Sequence, residues 1–300
     1  MSISDRDRAT IWHPYTQHQT TPLPLSIVRA KEAYLFDESH HRYLDLISSW
    51  WVNIHGHAHP EIAKAIYEQA LTLEHVIFSG FTHEPAVLLA EELLQLLPPH
   101  FSKIFYSDNG STAIEVALKM AYQFWRNQGV STRQRFMVFE NGYHGDTVGA
   151  MSLGKGSQFF KEFDDLLFKV DLFPYPATWI EDNNICEKEE KTLEKIADYL
   201  EKYGHETAAL IIEPLIQGAG GMRLCRPLFL KKLETLLRTY NILMIYDEVM
   251  TGFGRTGNTF ACQKAQTQPD IICLAKGLTG GFLPLAVTAC REDIYQAFLG

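Results

Sequence analysis

Two charged residues close two apolar segments of the chain, and their types could carry chemistry. Asp247 ends the segment that begins at Asn241, and Lys276 ends the segment that begins at Asp270. Ligands of parallel α/β sheets bind at the carboxyl ends of the strands, so both charges can reach one small molecule. A lysine can hold an aldehyde as a Schiff base, and a carboxylate can keep a pyridine nitrogen protonated. The pair therefore suits pyridoxal phosphate, although strands also end in charges that only meet solvent.

Two further segments contain groups that such a cofactor needs. Gly110 and Ser111 follow a predicted strand and begin a helix pattern, where free backbone N–H groups favour a phosphate. Tyr143 lies between Gly142 and Gly145, and its ring could stack on a planar cofactor. Taken alone, ordinary helix capping and an exposed turn tyrosine explain the two segments about equally well.

Two other patterns are weaker. His55, His57 and His59 alternate, but the ligand set is incomplete without a nearby acidic or cysteine partner, so we predict no metal site. The glycine spacing of Gly252–Gly257 resembles a dinucleotide loop. We reject that interpretation, because the segment follows two acidic residues that would oppose a pyrophosphate and does not lead into an apolar helix.

Composition excludes several classes of protein. The 300 residues are 46% hydrophobic and carry a net charge of -9, without a basic stripe for nucleic acid. The polar start and the absence of a long apolar run predict neither a secretory signal nor a membrane span, and we expect a cytoplasmic protein. The five cysteines form no Cys-x-x-Cys pair, so we expect free thiols.

The order of the elements predicts an α/β fold. From about residue 60, helix and strand patterns alternate, which favours a mainly parallel sheet with helices on both faces. Predicted strands lie near residues 103–108, 136–140, 208–213, 242–247, 271–275 and 285–289. Predicted helices lie near residues 60–76, 84–97, 111–128, 187–203 and 227–240, and short strands near 25–28 and 33–36.

We expect residues 1–55 to form an N-terminal arm with part of a small domain, and residues 56–300 to form a large cofactor-binding domain. The segment 294–300 has a helical pattern without a cap. A C-terminal small domain is therefore expected to be absent from this chain.

Several short motifs occur in the order typical of subgroup III aminotransferases. They are Gly110-Ser111, Tyr143-His144-Gly145, Glu213-Pro214, Asp247-Glu248 and Lys276-Gly277. The resemblance covers most of the chain and implies the pyridoxal-phosphate-dependent transferase fold type I, as in aspartate aminotransferase. It implies that Lys276 is the catalytic Schiff-base lysine and that Asp247 is the partner of the pyridine nitrogen. It further implies that Gly110 and Ser111 contact the phosphate, that Tyr143 stacks on the ring, and that the protein is a homodimer.

Three longer segments, 12–17, 48–57 and 217–222, resemble the biotin-pathway branch of this subgroup. That resemblance implies 8-amino-7-oxononanoate as amino acceptor and S-adenosylmethionine as the usual donor, with lysine in some members. Tyr15 and Trp50, together with Tyr143, would then face the substrate. The alternatives are another omega-aminotransferase of the subgroup or a catalytically silent fragment that binds pyridoxal phosphate.

The chain departs from the subgroup pattern in two places. Met250 stands where many members have a glutamine that reaches the phenolic oxygen of the cofactor, and a thioether makes no such strong hydrogen bond. The C-terminal arginine and threonine that complete the site in the subgroup do not occur by residue 300.

Overall fold

The computed structural model describes residues 1–300, which divide into two compact units, Met1–His75 and Val76–Gly300. No helix is both long enough and apolar enough to cross a membrane. The functional division that we predict at residues 55 and 56 stays a prediction.

The first unit contains a small antiparallel sheet and three short helical segments. Its strands are β1 (Ile27–Lys31), β2 (Tyr34–Asp37) and β3 (Arg42–Leu44), in the order β1-β2-β3, and its helices are α1 (Ile3–Thr10), α2 (Ser48–Trp51) and α3 (Pro60–Thr72). Helix α3 begins at Pro60, as predicted. Sequence analysis missed helix α1, because its eight residues are mostly polar and show no apolar period.

Helix α2 has a left-handed backbone. The φ angles of Ser48, Ser49, Trp50 and Trp51 are 47°, 47°, 62° and 67°. The left-handed region costs about 1–2 kcal/mol for each residue with a Cβ, so four in succession store strain. The chain turns here, and Trp50 is exposed while Trp51 is half-buried.

The second unit contains the predicted alternation of helices and strands. Its strands are β4 (Phe101–Ser107), β5 (Arg135–Phe139), β6 (Asp171–Phe173), β7 (Thr207–Ile212), β8 (Ile216–Gln217), β9 (Arg223–Leu224), β10 (Leu243–Asp247), β11 (Ile271–Leu274) and β12 (Ala286–Arg291). Its α-helices are α4 (Glu84–Leu96), α5 (Gly110–Asn127), α6 (Val148–Leu153), α7 (Ile185–Tyr203), α8 (Pro227–Thr239), α9 (Ala261–Ala265) and α10 (Glu292–Gln296). Short 3₁₀ helices span Gln158–Phe163, Gly204–Glu206 and Lys276–Leu278.

Seven strands form the central sheet in the order β4-β12-β11-β10-β7-β5-β6. Strand β12 runs antiparallel to both of its neighbours, and the other pairings are parallel. The mainly parallel sheet is thus confirmed. The direction of β12 was not predicted, because an apolar period reports burial and not the direction of a strand.

Both faces of this sheet are buried. Along β10, Met244 packs into one core cluster with Leu233 of α8, while Ile245 packs into a second cluster with Ile114 of α5. Neighbouring residues of a strand point to opposite faces, so helices must cover both sides. The six predicted strands of this unit match β4, β5, β7, β10, β11 and β12 within two residues at each end. The predicted C-terminal helix exists as α10 but ends at Gln296.

Candidate active site

The carboxyl ends of five strands of the central sheet bring the predicted residues of the second unit to one edge. Asp247 is the last residue of β10, and it lies opposite Cys273 on the adjacent parallel strand β11. Lys276 follows three residues after Cys273. Glu213 follows β7, the segment with Tyr143 and His144 follows β5, and Gly110 follows β4. Because these five strands are mutually parallel, their ends share the edge where ligands of such sheets bind.

Asp247 is held in place by a buried histidine. Its Oδ2 accepts a hydrogen bond of 2.7 Å from Nδ1 of His144, and its Oδ1 accepts one of 3.1 Å from the N–H of Val249. Both side chains are buried. Burial disfavours the charged imidazole, but the hydrogen bond and the charge of Asp247, with the charge of Glu213, outweigh it and raise the pKa of His144. The structure thus holds a buried pair of a carboxylate and an imidazole at the end of β10.

Glu213 ties two loops of the same edge together. Its Oε2 accepts a hydrogen bond of 3.0 Å from the N–H of Tyr143, and its Oε1 accepts one of 3.0 Å from the N–H of Gly218. Burial raises the pKa of Glu213 to about 7. A Cβ at Gly218 would lie 2.2 Å from Sδ of Met250, so this close packing requires glycine. Sequence analysis noted the charge of Glu213 but did not predict this bridge.

Lys276 occupies an unusual backbone position. It is the first residue of a 3₁₀ helix, and its φ of 47° lies in the left-handed region, which is strained for a residue with a Cβ. Burial lowers the pKa of its amine, while the charges of Asp247 and Glu213 act in the opposite direction. A larger fraction of the amine is therefore neutral, and so nucleophilic, than on an exposed lysine.

The predicted phosphate cradle is the N-terminus of the 18-residue helix α5. Asn109 caps the helix, since its Oδ1 accepts from the N–H of Thr112 at 3.1 Å, and Oγ1 of Thr112 accepts from the N–H of Asn109 at 3.0 Å. Ser111 does not cap the helix, because its Oγ accepts from the N–H of Asp146 at 3.1 Å. Capping thus explains Thr112 but not Ser111. A Cβ at Gly110 would lie 2.8 Å from Cγ1 of Val249, so only glycine fits there.

Tyr143 is half-buried, which disagrees with an exposed turn tyrosine. Its ring lies nearly parallel to that of Phe160, with centroids 5.9 Å apart and planes at 18°. Its hydroxyl donates to Oδ2 of Asp146 at 3.0 Å. The ring is therefore held at two places, by packing on Phe160 and by the hydrogen bond of its hydroxyl.

Glu248 is a buried residue whose role sequence analysis missed. Its Oε2 accepts from the N–H of Ala261 at 2.6 Å and from Oγ1 of Thr251 at 3.1 Å, and its Oε1 accepts from the N–H of Cys262 at 2.8 Å. Burial raises its pKa to about 7. The residue fastens the loop after β10 to the start of α9. Its acidic type gave no signal, because most glutamates that follow a strand meet solvent.

Tyr15 and Trp50 meet in the first unit. Their ring centroids are 5.9 Å apart with planes at 71°, and both side chains are more than half exposed. We call these two residues the aromatic pair. In the same unit, Nε2 of His57 contacts Oδ2 of Asp45 at 2.9 Å. Asp45 is thus an acidic partner of His57, one of the three alternating histidines, and lies 12 residues before it. Sequence analysis did not identify this partner.

The structure therefore groups the predicted site residues by unit. Gly110, Ser111, Tyr143, Asp247 and Lys276 belong to the second unit, and Tyr15 and Trp50 belong to the first. We call Asp247, His144, Glu213 and Lys276 the strand-end cluster. Their roles toward a cofactor or substrate stay predictions from the sequence.

Comparison with known proteins decides the family. Residues 15–300 match the family model of class-III aminotransferases. The chain belongs to this family. An adenosylmethionine-8-amino-7-oxononanoate aminotransferase of Synechococcus elongatus is 53% identical over 96% of this chain and 67% of its own length. The protein of that name from Geobacter sulfurreducens is 44% identical over 100% of this chain and 67% of its own length. The predicted resemblance to the biotin-pathway branch is confirmed.

Solved structures agree with the fold prediction. The crystal structure of adenosylmethionine-8-amino-7-oxononanoate aminotransferase from Methanocaldococcus jannaschii is 39% identical, has a TM-score of 0.91 and covers 99% of this chain and 67% of the other. A pyridoxal-phosphate-bound amine transaminase from an uncultivated Pseudomonas species is 32% identical with a TM-score of 0.89, over 96% of this chain and 66% of the other. The transferase fold type I is thus confirmed, and the chain spans about two thirds of these relatives.

Proposed function

We propose that this protein binds pyridoxal phosphate and transfers an amino group from S-adenosylmethionine to 8-amino-7-oxononanoate, forming 7,8-diaminononanoate. One observation carries the proposal. Asp247, which is buried against His144, is the last residue of β10, and Lys276, whose amine pKa is lowered, follows the adjacent parallel strand β11. The names of relatives that are 40–53% identical supply the substrate and the donor.

The chemistry of the second unit fits pyridoxal phosphate. The cofactor needs an anion site, an acid opposite its pyridine nitrogen and a reactive amine. The start of α5 supplies free backbone N–H groups, and the N-terminus of a long helix favours an anion. Gly110 lies at this start, and a Cβ there would meet the side chain of Val249. Asp247 is the acid, and Lys276 is the amine. Tyr143 presents an aromatic ring next to His144.

When bound, the cofactor supplies an electron sink for the substrate carbon that loses a proton. Lys276 would hold the aldehyde of the cofactor, and its Nζ, once released, would act as the base that takes the proton from the amino-bearing carbon of the donor. The lowered pKa of this amine favours that role, because the protonated form cannot accept a proton.

Asp247 would pair with the protonated pyridine nitrogen, and His144 orients Asp247 through the hydrogen bond of 2.7 Å between Nδ1 and Oδ2. The N–H groups at Gly110 and Ser111 bind the phosphate, and the ring of Tyr143 limits the tilt of the pyridine.

The aromatic pair, Tyr15 and Trp50, would contact the apolar chain of the acceptor. The exposed rings of the aromatic pair offer apolar surface without a charge, which suits a long aliphatic acid better than ornithine. We further propose a homodimer located in the cytoplasm, as in the sequence prediction. Mass measurement in solution tests the dimer, and a single-chain mass would contradict it.

The test is an assay of the purified protein with pyridoxal phosphate, 8-amino-7-oxononanoate and S-adenosylmethionine, with product detection by mass spectrometry. We expect 7,8-diaminononanoate. Parallel reactions replace the acceptor by ornithine or 4-aminobutyrate, and the donor by lysine. Turnover only with those acceptors would favour another omega-aminotransferase, and cofactor binding without any product would favour the silent fragment.

A further inference from the structure

Two side chains of helix α5 bind the backbone of the segment that follows Tyr143. Ser111 and Glu115 lie four residues apart, so they point from the same face of the helix. Both contact the segment that follows Tyr143. Oγ of Ser111 accepts from the N–H of Asp146 at 3.1 Å, and Oε1 of Glu115 accepts from the N–H groups of Gly149 and Ala150 at 2.7 Å and 3.2 Å.

The contacts of Glu115 replace a missing cap. Helix α6 begins at Val148, and its N-cap residue, Thr147, makes no side-chain capping hydrogen bond. The first N–H groups of a helix have no partner within the helix, and a negative charge there is favourable. Glu115 satisfies two of these N–H groups from another helix. The carboxylate is thus the cap of α6.

Two glycines permit this close approach. A Cβ at Gly149 would lie 2.3 Å from Oε2 of Glu115, and a Cβ at Gly145 would lie 1.9 Å from Oγ of Ser111. Gly145 also has a φ of 122°, which side chains rarely tolerate. The backbone at Gly145 and Gly149 therefore packs directly against side chains of helix α5. A side chain at either glycine would push the two apart.

The other end of the segment is also fixed, since the N–H of Tyr143 donates to Glu213. Side-chain oxygens of Glu213, Ser111 and Glu115 thus accept from backbone N–H groups of the segment, at Tyr143, Asp146 and Gly149. Oγ of Ser111 accepts a hydrogen bond from the N–H of Asp146. The hydroxyl proton of Ser111 therefore points elsewhere and can be donated to an anion at the start of α5.

We propose that Glu115 is a positioning residue, which fastens the segment Tyr143–Ala150 to helix α5. The start of α5 and Tyr143 then move together. The site for the phosphate and the ring that would stack on the pyridine therefore keep a fixed distance and orientation. This inference rests on the proposed function for the roles of Ser111 and Tyr143, but the fastening itself does not require the cofactor.

The first arm of the test uses the protein without cofactor. Glu115→Ala removes both hydrogen bonds, and Glu115→Gln keeps an oxygen of the same shape without the charge. We expect amide hydrogen exchange in residues 143–150 to become about tenfold faster in Glu115→Ala and less so in Glu115→Gln. The control is Glu92→Ala on an exposed position of α4, which should leave exchange in this segment unchanged. Unchanged exchange in Glu115→Ala would overturn the inference.

The second arm adds pyridoxal phosphate. We expect the dissociation constant of Glu115→Ala to rise about tenfold, equivalent to about 1.4 kcal/mol, and its visible circular dichroism band to weaken, with partial recovery in Glu115→Gln. Faster exchange with an unaltered band and affinity would refute the link to the cofactor. If the unmodified protein shows no Lys276-dependent binding, the proposed function fails instead. Should Glu115→Ala not fold, Glu115→Gln and its circular dichroism band decide alone.

Discussion

The strand-end cluster and the aromatic pair differ in how the protein holds them. Asp247 and His144 are each 4% exposed and joined by a hydrogen bond of 2.7 Å, whereas Tyr15 and Trp50 are 54% and 56% exposed. Asp247 is the last residue of a regular strand. The pair lies on irregular backbone, with φ of 52° at Tyr15 and 62° at Trp50.

This difference matches two tasks. Proton transfer needs charges that are fixed and shielded from water, because electrostatic interactions are stronger there and need no reorganisation. Contact with an apolar chain needs exposed surface and tolerates less accurate placement. We therefore expect changes in the cluster to affect chemistry strongly and changes in the pair to affect substrate binding moderately.

The largest effect is expected for Lys276→Ala. Loss of the amine should abolish the visible absorption of the lysine-bound aldehyde and reduce turnover by more than about 10³-fold, within the range for loss of an acid–base group. Absorption spectra and product formation measure both. The control, Lys232→Ala on the exposed side of α8, should behave like the unmodified protein. Retained turnover in Lys276→Ala would remove the lysine from the mechanism.

Asp247→Asn is expected to have the next largest effect. The pKa of His144 should fall, because the hydrogen bond and charge that raise it are lost while burial remains. Turnover should decrease by about 10²–10³-fold, since a fixed charge at the reacting centre is removed. Titration of the His144 ring by NMR checks the pKa, and steady-state kinetics check the rate. An unchanged pKa would contradict the pairing.

Glu248, which follows Asp247 of the strand-end cluster, should make the stability of the protein depend on pH. Burial raises the pKa of Glu248 in the folded state from its ordinary value of 4.5 to about 7, so the folded state binds the proton more tightly. Its contribution to stability is complete below pH about 4.5 and is lost as the pH rises through about 7, by up to about 3 kcal/mol. Glutamine does not titrate, so the destabilisation by Glu248→Gln should become smaller between pH 5 and pH 7.5.

Denaturant unfolding at the two pH values measures this difference, and Glu92→Gln is the exposed control. Equal destabilisation at both pH values would show that Glu248 stays ionised in the folded protein. The three donors that point at its carboxylate would then outweigh burial.

Trp50→Ala should act on the acceptor and not on the chemistry. Loss of roughly 50 Å² of apolar contact, at about 25 cal/mol for each Å², corresponds to a rise in KM of about tenfold, with a small change in kcat. The melting temperature should change little, because the side chain is exposed. Trp179→Ala removes another exposed tryptophan as a control. A loss in kcat with constant KM would place Trp50 with the cluster.

The smallest effect concerns the backbone beneath the aromatic pair. Ser48→Gly relieves a left-handed residue at a cost of chain entropy, so it should stabilise the protein by up to about 1 kcal/mol. Ser48→Ala removes only the hydroxyl and serves as the matched control. Thermal unfolding checks both variants, and a destabilised glycine variant would contradict the strain.

Local patterns in the sequence identify the residues that end strands. The run before Asp247 and the run before Lys276 are apolar on both faces, and such runs are typical of buried parallel strands whatever the rest of the chain does. The start of α5 was likewise visible from Gly110 and its neighbours. The left-handed backbone of α2 was not, since Ser and Trp carry no preference for it.

The sequence by itself determined the family, the mainly parallel sheet and the residues at its carboxyl edge, because these follow from burial period, chain order and motif identity. Only the tertiary structure decided the direction of β12, the pairing of His144 with Asp247, the burial of Glu248 and the capping of α6 by Glu115. These contacts join residues from 13 to 103 positions apart. Contacts over such separations depend on how the chain packs, and no local pattern records them.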